Sequence, residues 1–213
     1  MPAALRFADS EARDDLLTFA SRTARLSDPE VRLQAAGGTL AMWAPALIPR
    51  GILDATPTIL ALRVLPVDPE LVCDLTVNAS GIAADPQDPR GATLPASAVR
   101  AVWAGVGAPR GAWRRVGEID AAALAARAHE GIARVADDVP RDAGAELVQK
   151  VRSAVWGEPV SEWFGLPRGV GFAAFSLGFI AGGEAAGVHR SGAWARVSLR
   201  RGHVLVRGAE LTV

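Results

Sequence analysis

Apolar and polar positions divide the chain into a leading helix, a set of alternating segments, and a helical stretch closed by a second alternating pair. Leu16, Leu17, Phe19 and Ala20 give one apolar side to a segment that opens with Ser10 as a helix N-cap. Glu11, Asp14 and Asp15 suit the positive end of that helix dipole, Arg22 and Arg25 the negative end, and Asp28-Pro29 stops it. Val31, Leu33 and Ala35 then alternate with Arg32 and Gln34. Gly37-Gly38 supplies the positive φ of a tight turn, and Leu40, Met42 and Trp43 lead away, which predicts a hairpin. Proline and glycine punctuate 44–57. Thr58 to Val67 resumes as a strand, with Ile59 to Leu62 apolar enough for burial on both faces. Leu71 to Val77 is a further strand, Asp85 to Gly91 a loop, and Val99 to Val106 a strand to which Trp113 to Ile119 returns antiparallel.

The period then changes. Asp120 caps an alanine-rich helix to Ala136 with Leu124, Ala128, Ile132 and Val135 on one face, and a second helix covers Asp142 to Trp156. A short Trp163-Phe164 segment precedes an apolar helix over Gly169 to Ile180. A hairpin closes the chain, with Trp194, Arg196 and Leu199 before Arg201-Gly202 and Val204 and Val206 after it. No internal repeat is legible. The expected fold class is α+β: an N-terminal helix and mostly antiparallel sheet, followed by a helical segment with a C-terminal β-hairpin. The division falls at 1–119 and 120–213, or the two parts form one continuous domain.

Composition narrows the function. Half of the 213 residues are hydrophobic and 22% are charged, which suits a packed core. The 23 basic and 23 acidic side chains cancel, so no whole-protein field steers the chain toward nucleic acid or an anionic membrane. One cysteine, Cys73, excludes an internal disulfide framework and a multi-cysteine zinc site. His129, His189 and His203 are too scattered to suggest a metal centre. The N-terminus has no signal-peptide pattern, and the uncharged run Gly169 to Gly183 is shorter than the ~20 residues of a membrane span. The expected compartment is the cytoplasm, with no membrane partner.

The short motifs lack the context their chemistry needs. Gly105-x-Gly107 is followed by Pro109, Arg110 and Gly111 where a dinucleotide site needs a helix, and reads as a turn. Gly169-x-Gly171-x-x-Ala174 opens a helix, but Leu166-Pro167-Arg168 stands where a strand belongs; its small residues suit close packing. Asp74 beside Cys73 raises the thiol pKa and favours a buried structural cysteine over a nucleophile. Asp137-Asp138 reads as a solvated helix end. The G-x-S-x-G, H-E-x-x-H and C-x-x-C patterns are absent. No catalytic, cofactor-binding or metal residue is expected, and no cofactor is implied.

What remains is a set of tryptophans and a charge asymmetry. Most of the six tryptophans suit a core, with Trp163 and Trp194 as the exposed anchors of an interaction surface. From Ala185 to Val213 five arginines stand against one acid, Glu210, whereas residues 1–100 carry nine bases and twelve acids. Arg190, Arg196, Arg200, Arg201, His203 and Arg207 therefore join the two tryptophans in the candidate surface. Helices followed by a basic hairpin also give the element order of a winged helix, the alternative of nucleic-acid binding. The helix that would enter the groove, GVGFAAFSLGFI, has no side chain to read a base edge, and it belongs in a core or a subunit interface. The expected function is that of a non-catalytic binding or assembly protein, a homo-oligomer whose partner is itself or another protein. A small-metabolite enzyme assembled from distant residues is the further alternative.

The stretches VRLQAAGGTLAMWA (Val31 to Ala44), RVLP (Arg63 to Pro66) and WRRVGEIDAAALAARA (Trp113 to Ala128) resemble an uncharacterised group of actinobacterial proteins. The resemblance implies a bacterial source and carries no functional residue with it.

Overall fold

The computed structural model describes residues 4–51, 53–105 and 107–208. In chain order the elements are β1 (Ala4–Arg6), α1 (Ser10–Thr23), β2 (Glu30–Ala36), β3 (Thr39–Leu47), β4 (Thr58–Pro66), β5 (Cys73–Asn78), β6 (Ala83–Ala84) and β7 (Gly91–Thr93). Then follow β8 (Arg114–Asp120), α2 (Ala121–Asp138), α3 (Ala145–Gly157), α4 (Gly169–Ser176), β9 (Ala185–Ser191), β10 (Trp194–Leu199) and β11 (Gly202–Arg207). This is an α+β fold with antiparallel sheets, ending in a hairpin. It divides into two compact units, Met1–Pro45 with Leu62–Gly107, and Ala46–Ala61 with Ala108–Val213.

In the first unit α1 is capped by Asp9, one residue before the expected Ser10, because the Ala12 amide donates to Asp9 Oδ1 at 2.8 Å. Leu16, Phe19 and Ala20 form its buried stripe. The expected hairpin is present: Ala36 faces Thr39 across Gly37 and Gly38, whose φ values of 55° and 77° match the right-handed twist of the flanking strands. The strand order is β5-β2-β3-β4, and β1, β7 and β6 form a separate three-stranded sheet.

The strand expected over Val99 to Val106 is absent among the described residues; Val106 itself lies outside them, as does the middle of the Gly105-x-Gly107 pattern. Val102–Gly105 is a 3-10 turn instead. Trp103 is buried beneath it and donates its indole N–H to Glu30 Oε2 at 2.8 Å, while the Arg32 guanidinium donates to the Ala104 carbonyl. Cys73 is half-buried, and burial pushes its thiol pKa up, with the Asp74 charge adding to the rise.

In the second unit the strand order is β4-β11-β10-β9-β8, so the Trp113 to Ile119 segment pairs with β9. Asp120 caps α2 as expected, accepting from the Ala122 amide at 2.8 Å. The helix begun at Asp142 by sequence starts at Ala145. α4 stops at Ser176 instead of Ile180, because Gly178 takes a φ of 70° and the Phe179 amide closes back onto the Ala174 carbonyl at 2.8 Å. That is the Schellman ending, which satisfies a carbonyl the helix would otherwise orphan.

α4 is a core helix of this unit: Val170, Gly171, Ala173 and Ala174 are wholly buried or nearly so. Its glycines allow close backbone approach. A Cβ on Gly171 would lie 2.6 Å from the Leu124 carbonyl oxygen of α2, and one on Gly169 would lie 2.9 Å from the Trp156 carbonyl oxygen of α3. In α2, a Cβ on Gly131 would fall 2.2 Å from Trp156 Cζ3, and the Trp156 ring stacks on Phe172 at 4.4 Å. Of the two places expected for this helix, a core or a subunit interface, its burial fits the core, and it offers no surface to a groove. Among the described residues no helix is long and apolar enough to cross a membrane.

Candidate functional site

The sheet of the second unit has two unlike faces. Val188, Val197, Val204 and Val206 point to the helical layer, where Gly202 admits the Phe179 ring and Gly117 admits Phe164. The opposite face follows from the same register. Arg196 on β10 sits across from His189 on β9 and Leu205 on β11, and Ser198 sits across from Gly187 and His203. Arg115 on β8 is opposite His189, and Glu118 is opposite Gly187. One face thus gathers Arg115, His189, Arg196, Ser198 and His203.

Side-chain contacts tighten this row. The Arg196 guanidinium lies 4.6 Å from the centre of the Trp113 ring, within the range of a cation–π contact. His203 Nδ1 and Ser198 Oγ are 3.0 Å apart, a hydrogen bond. His189 leans over Gly187, where a Cβ would lie 3.1 Å from its Cε1. Arg196 Nε and His189 Nδ1 are buried with no hydrogen-bond partner among the described residues. Burial, then the Arg196 charge and His189, push the His203 imidazole below the ordinary histidine value. Burial lowers the Arg196 guanidinium as well, although an arginine stays charged at neutral pH.

The structure brings together only part of the expected surface. Arg196, His203 and Arg207 share the face, and Trp194 belongs to it by register. Trp194 and Trp163, expected as exposed anchors, are 6% and 3% exposed; each spends its ring on packing. Arg190 falls on the helical side, opposite Arg114, and donates to the Phe164 carbonyl at 2.7 Å. Arg200 and Arg201 form the turn between β10 and β11, and the Arg200 amide donates to Glu184 Oε2 at 3.0 Å. Glu210 lies outside the described residues. Sequence reasoning missed His189, Ser198, Arg115 and Trp113; the one signal for them was the alternation of the closing hairpin, extended to a third strand.

Other clusters are internally balanced. Arg168 bridges Glu130 at 3.3 Å and Glu158 at 3.2 Å, and Arg134 reaches Glu158 at 2.7 Å, tying α2 to the approach of α4. In the first unit an open recess of about 290 Å³ lies between Phe7 and Pro69, with Arg6 paired to Asp88 at 3.1 Å. No group of three or more metal-ligating side chains occurs among the described residues.

The chain is similar to the DnaN sliding clamp (DNA polymerase III subunit beta) from Bartonella birtlesii, solved bound to griselimycin, with a TM-score of 0.50 and 11% identity over 99% of this chain and 66% of that one. The DNA polymerase sliding clamp from Caulobacter crescentus gives a TM-score of 0.48 and 14% identity over 97% and 65%. At such identities the likeness is one of fold alone, and this chain spans just under two thirds of the length of either clamp. No curated protein matches the sequence. Residues 1–105 match the domain of unknown function DUF8010, and residues 108–211 match the domain of unknown function DUF8185. Two domains of unknown function, DUF8010 and then DUF8185, thus cover the chain, in keeping with the uncharacterised protein group that its sequence resembles.

Proposed function

We propose that this chain is a non-catalytic binding and assembly protein that associates with copies of itself in the bacterial cytoplasm. The observation that carries the reading is its fold likeness to the Bartonella birtlesii protein, whose description as a sliding clamp and a polymerase subunit is that of an assembly component. β8 supports it. Among the described residues this strand ends the sheet and pairs with β9 on one side only, which leaves its other backbone edge for a strand of another chain. The bulge between Arg115 and Gly117 and the charges of Arg115 and Glu118 are features that discourage indiscriminate pairing at that edge. Light scattering across a range of concentrations tests the reading. A mass above that of one chain, rising with concentration or fixed at a multiple, supports it; a strict monomer throughout overturns it.

A second reading, contact with nucleic acid, draws on the arginines of the last hairpin and on the words DNA polymerase in the description of the same relative. It predicts binding to duplex DNA that weakens as salt rises and when Arg200→Ala and Arg201→Ala are combined. Binding indifferent to salt or to those changes dismisses it.

A further inference from the structure

We propose that the face of the second unit's sheet around Gly187 is a binding site for a phosphoryl group, held by Arg196, His189 and the Ser198–His203 pair. This goes beyond self-association and does not depend on it.

The argument begins with the register. Four donor-bearing side chains from three adjacent strands lie around a position that has no side chain of its own, with Glu118 of β8 across from it on the other side. His189 comes from β9, Arg196 and Ser198 from β10, and His203 from β11, with Gly187 opposite Ser198. Glycine leaves the backbone bare there, and the His189 ring already closes over it at 3.1 Å from where a Cβ would stand. The guanidinium is steadied from behind by the Trp113 ring, which fixes its plane without using a hydrogen. Arg196 Nε and His189 Nδ1 are buried and have no hydrogen-bond partner among the described residues.

Charge points the same way. The groups on this face are Arg115, Glu118 and Asp120 from β8, His189 from β9, Arg196 from β10, and His203 and Arg207 from β11. Of the two acids, Glu118 is held by Arg115 at 2.8 Å, and Asp120 accepts from the Ala122 amide at the start of α2. Arg196 and the two histidines therefore sit together without a counter-charge of their own. Like charges so placed oppose the protonation of His203, and an anion between them reverses that effect. A phosphoryl group suits the site better than a carboxylate does. Its oxygens point in several directions, matching donors that converge from separate strands, and its second charge balances more than the arginine alone.

The test follows the histidine ring resonances of the whole chain by NMR while inorganic phosphate, glycerol phosphate or acetate is added at constant ionic strength with chloride. The expected result is a saturable shift of His189 and His203 with a Kd of about 1 mM for at least one phosphate compound. Acetate binds at least about tenfold more weakly. A tighter grip on inorganic phosphate assigns the site to the free ion, and a tighter grip on the ester assigns it to a small phosphorylated metabolite; both support the site. Arg196→Gln lowers affinity about tenfold or more. Arg196→Lys, which keeps the charge and loses the planar fork, falls between, and it serves if the glutamine variant does not fold. No saturable shift with either phosphate compound overturns the proposal. So does acetate binding as tightly as phosphate, or affinity undiminished in the Arg196 variants.

Discussion

In the first unit the irregular segments are fixed by side chains that reach across the fold. Arg32 donates to Asp74 Oδ1 at 2.8 Å and also to the Ala104 carbonyl, Glu30 receives the Trp103 indole, and Arg6 pairs with Asp88. In the second unit the helices are fixed by what is missing: Gly131, Gly169 and Gly171 let α2, α3 and α4 come closer than any side chain would allow. The first arrangement spends polar groups that must find partners, and it is sensitive to charge and salt. The second needs none at these close approaches, where it is sensitive to a single methyl group, and it keeps its ion pairs for the rim, where Arg168 and Arg134 meet Glu130 and Glu158.

The largest effect that follows is at Gly171. Gly171→Ala should destabilise the chain by about 3 kcal/mol, because the new methyl meets a carbonyl oxygen of the backbone and not the movable end of a side chain. Gly183→Ala is the matched control, since a Cβ there meets nothing within 4 Å. Its effect should stay within about 0.5 kcal/mol. Equal urea midpoints for the two variants would break the packing account of the second unit.

For the first unit, Trp103→Phe keeps most of the buried ring and removes the donor to Glu30. It should cost about 1–2 kcal/mol in urea unfolding, and the loss should be smaller in Glu30→Gln, which keeps an acceptor. Acid sharpens the contrast. His203 has a folded pKa below its unfolded value near ~6.5, so its contribution to stability is complete above that pH and declines as pH falls through it. The melting temperature should drop on acidification from there, and His203→Asn should flatten that part of the profile. A slope unchanged in the variant would remove His203 from the account. The smallest effect belongs to Asp74→Asn. Asp74 is half-exposed and its carboxyl is held below the usual range chiefly by Arg32, so the substitution should cost about 0.5 kcal/mol at low salt and less at high salt.

The parts of this fold that could be read from the sequence are those decided locally. Alternation with Gly37-Gly38 between the strands gives the first hairpin, Asp120 announces α2, and Trp194 to Val206 announces the last two strands. The Val99 to Val106 segment misleads because its partners, Glu30 and Arg32, lie about seventy residues earlier and override its β-branched composition. β9 is hidden for the opposite reason: AAGVHRS is poor in strand formers and becomes a strand because β8 and β10 flank it. That loss is why His189 and Gly187 could not be placed beside Arg196. Tryptophan exposure was illegible too, as the same ring serves a core or an interface, and Trp163 and Trp194 went to cores.

The bulge in β8 gives Val116 an importance unrelated to its side chain. Without a partner on β9, it shifts the parity of the strand by one, so that Arg115 and Glu118, three positions apart, fall on the same face and can form their ion pair. The same shift turns Gly117 toward Phe164, where a side chain would not fit. For heredity this makes the locus permissive. Substitution of Val116 by another small or branched residue keeps the bulge and should drift freely. Loss of its codon would straighten the strand, leaving Arg115 and Gly117 consecutive opposite His189 and Val188, so that each following residue keeps its face. In descendants of this chain, the segment between Arg115 and Gly117 should vary in length as well as in letter.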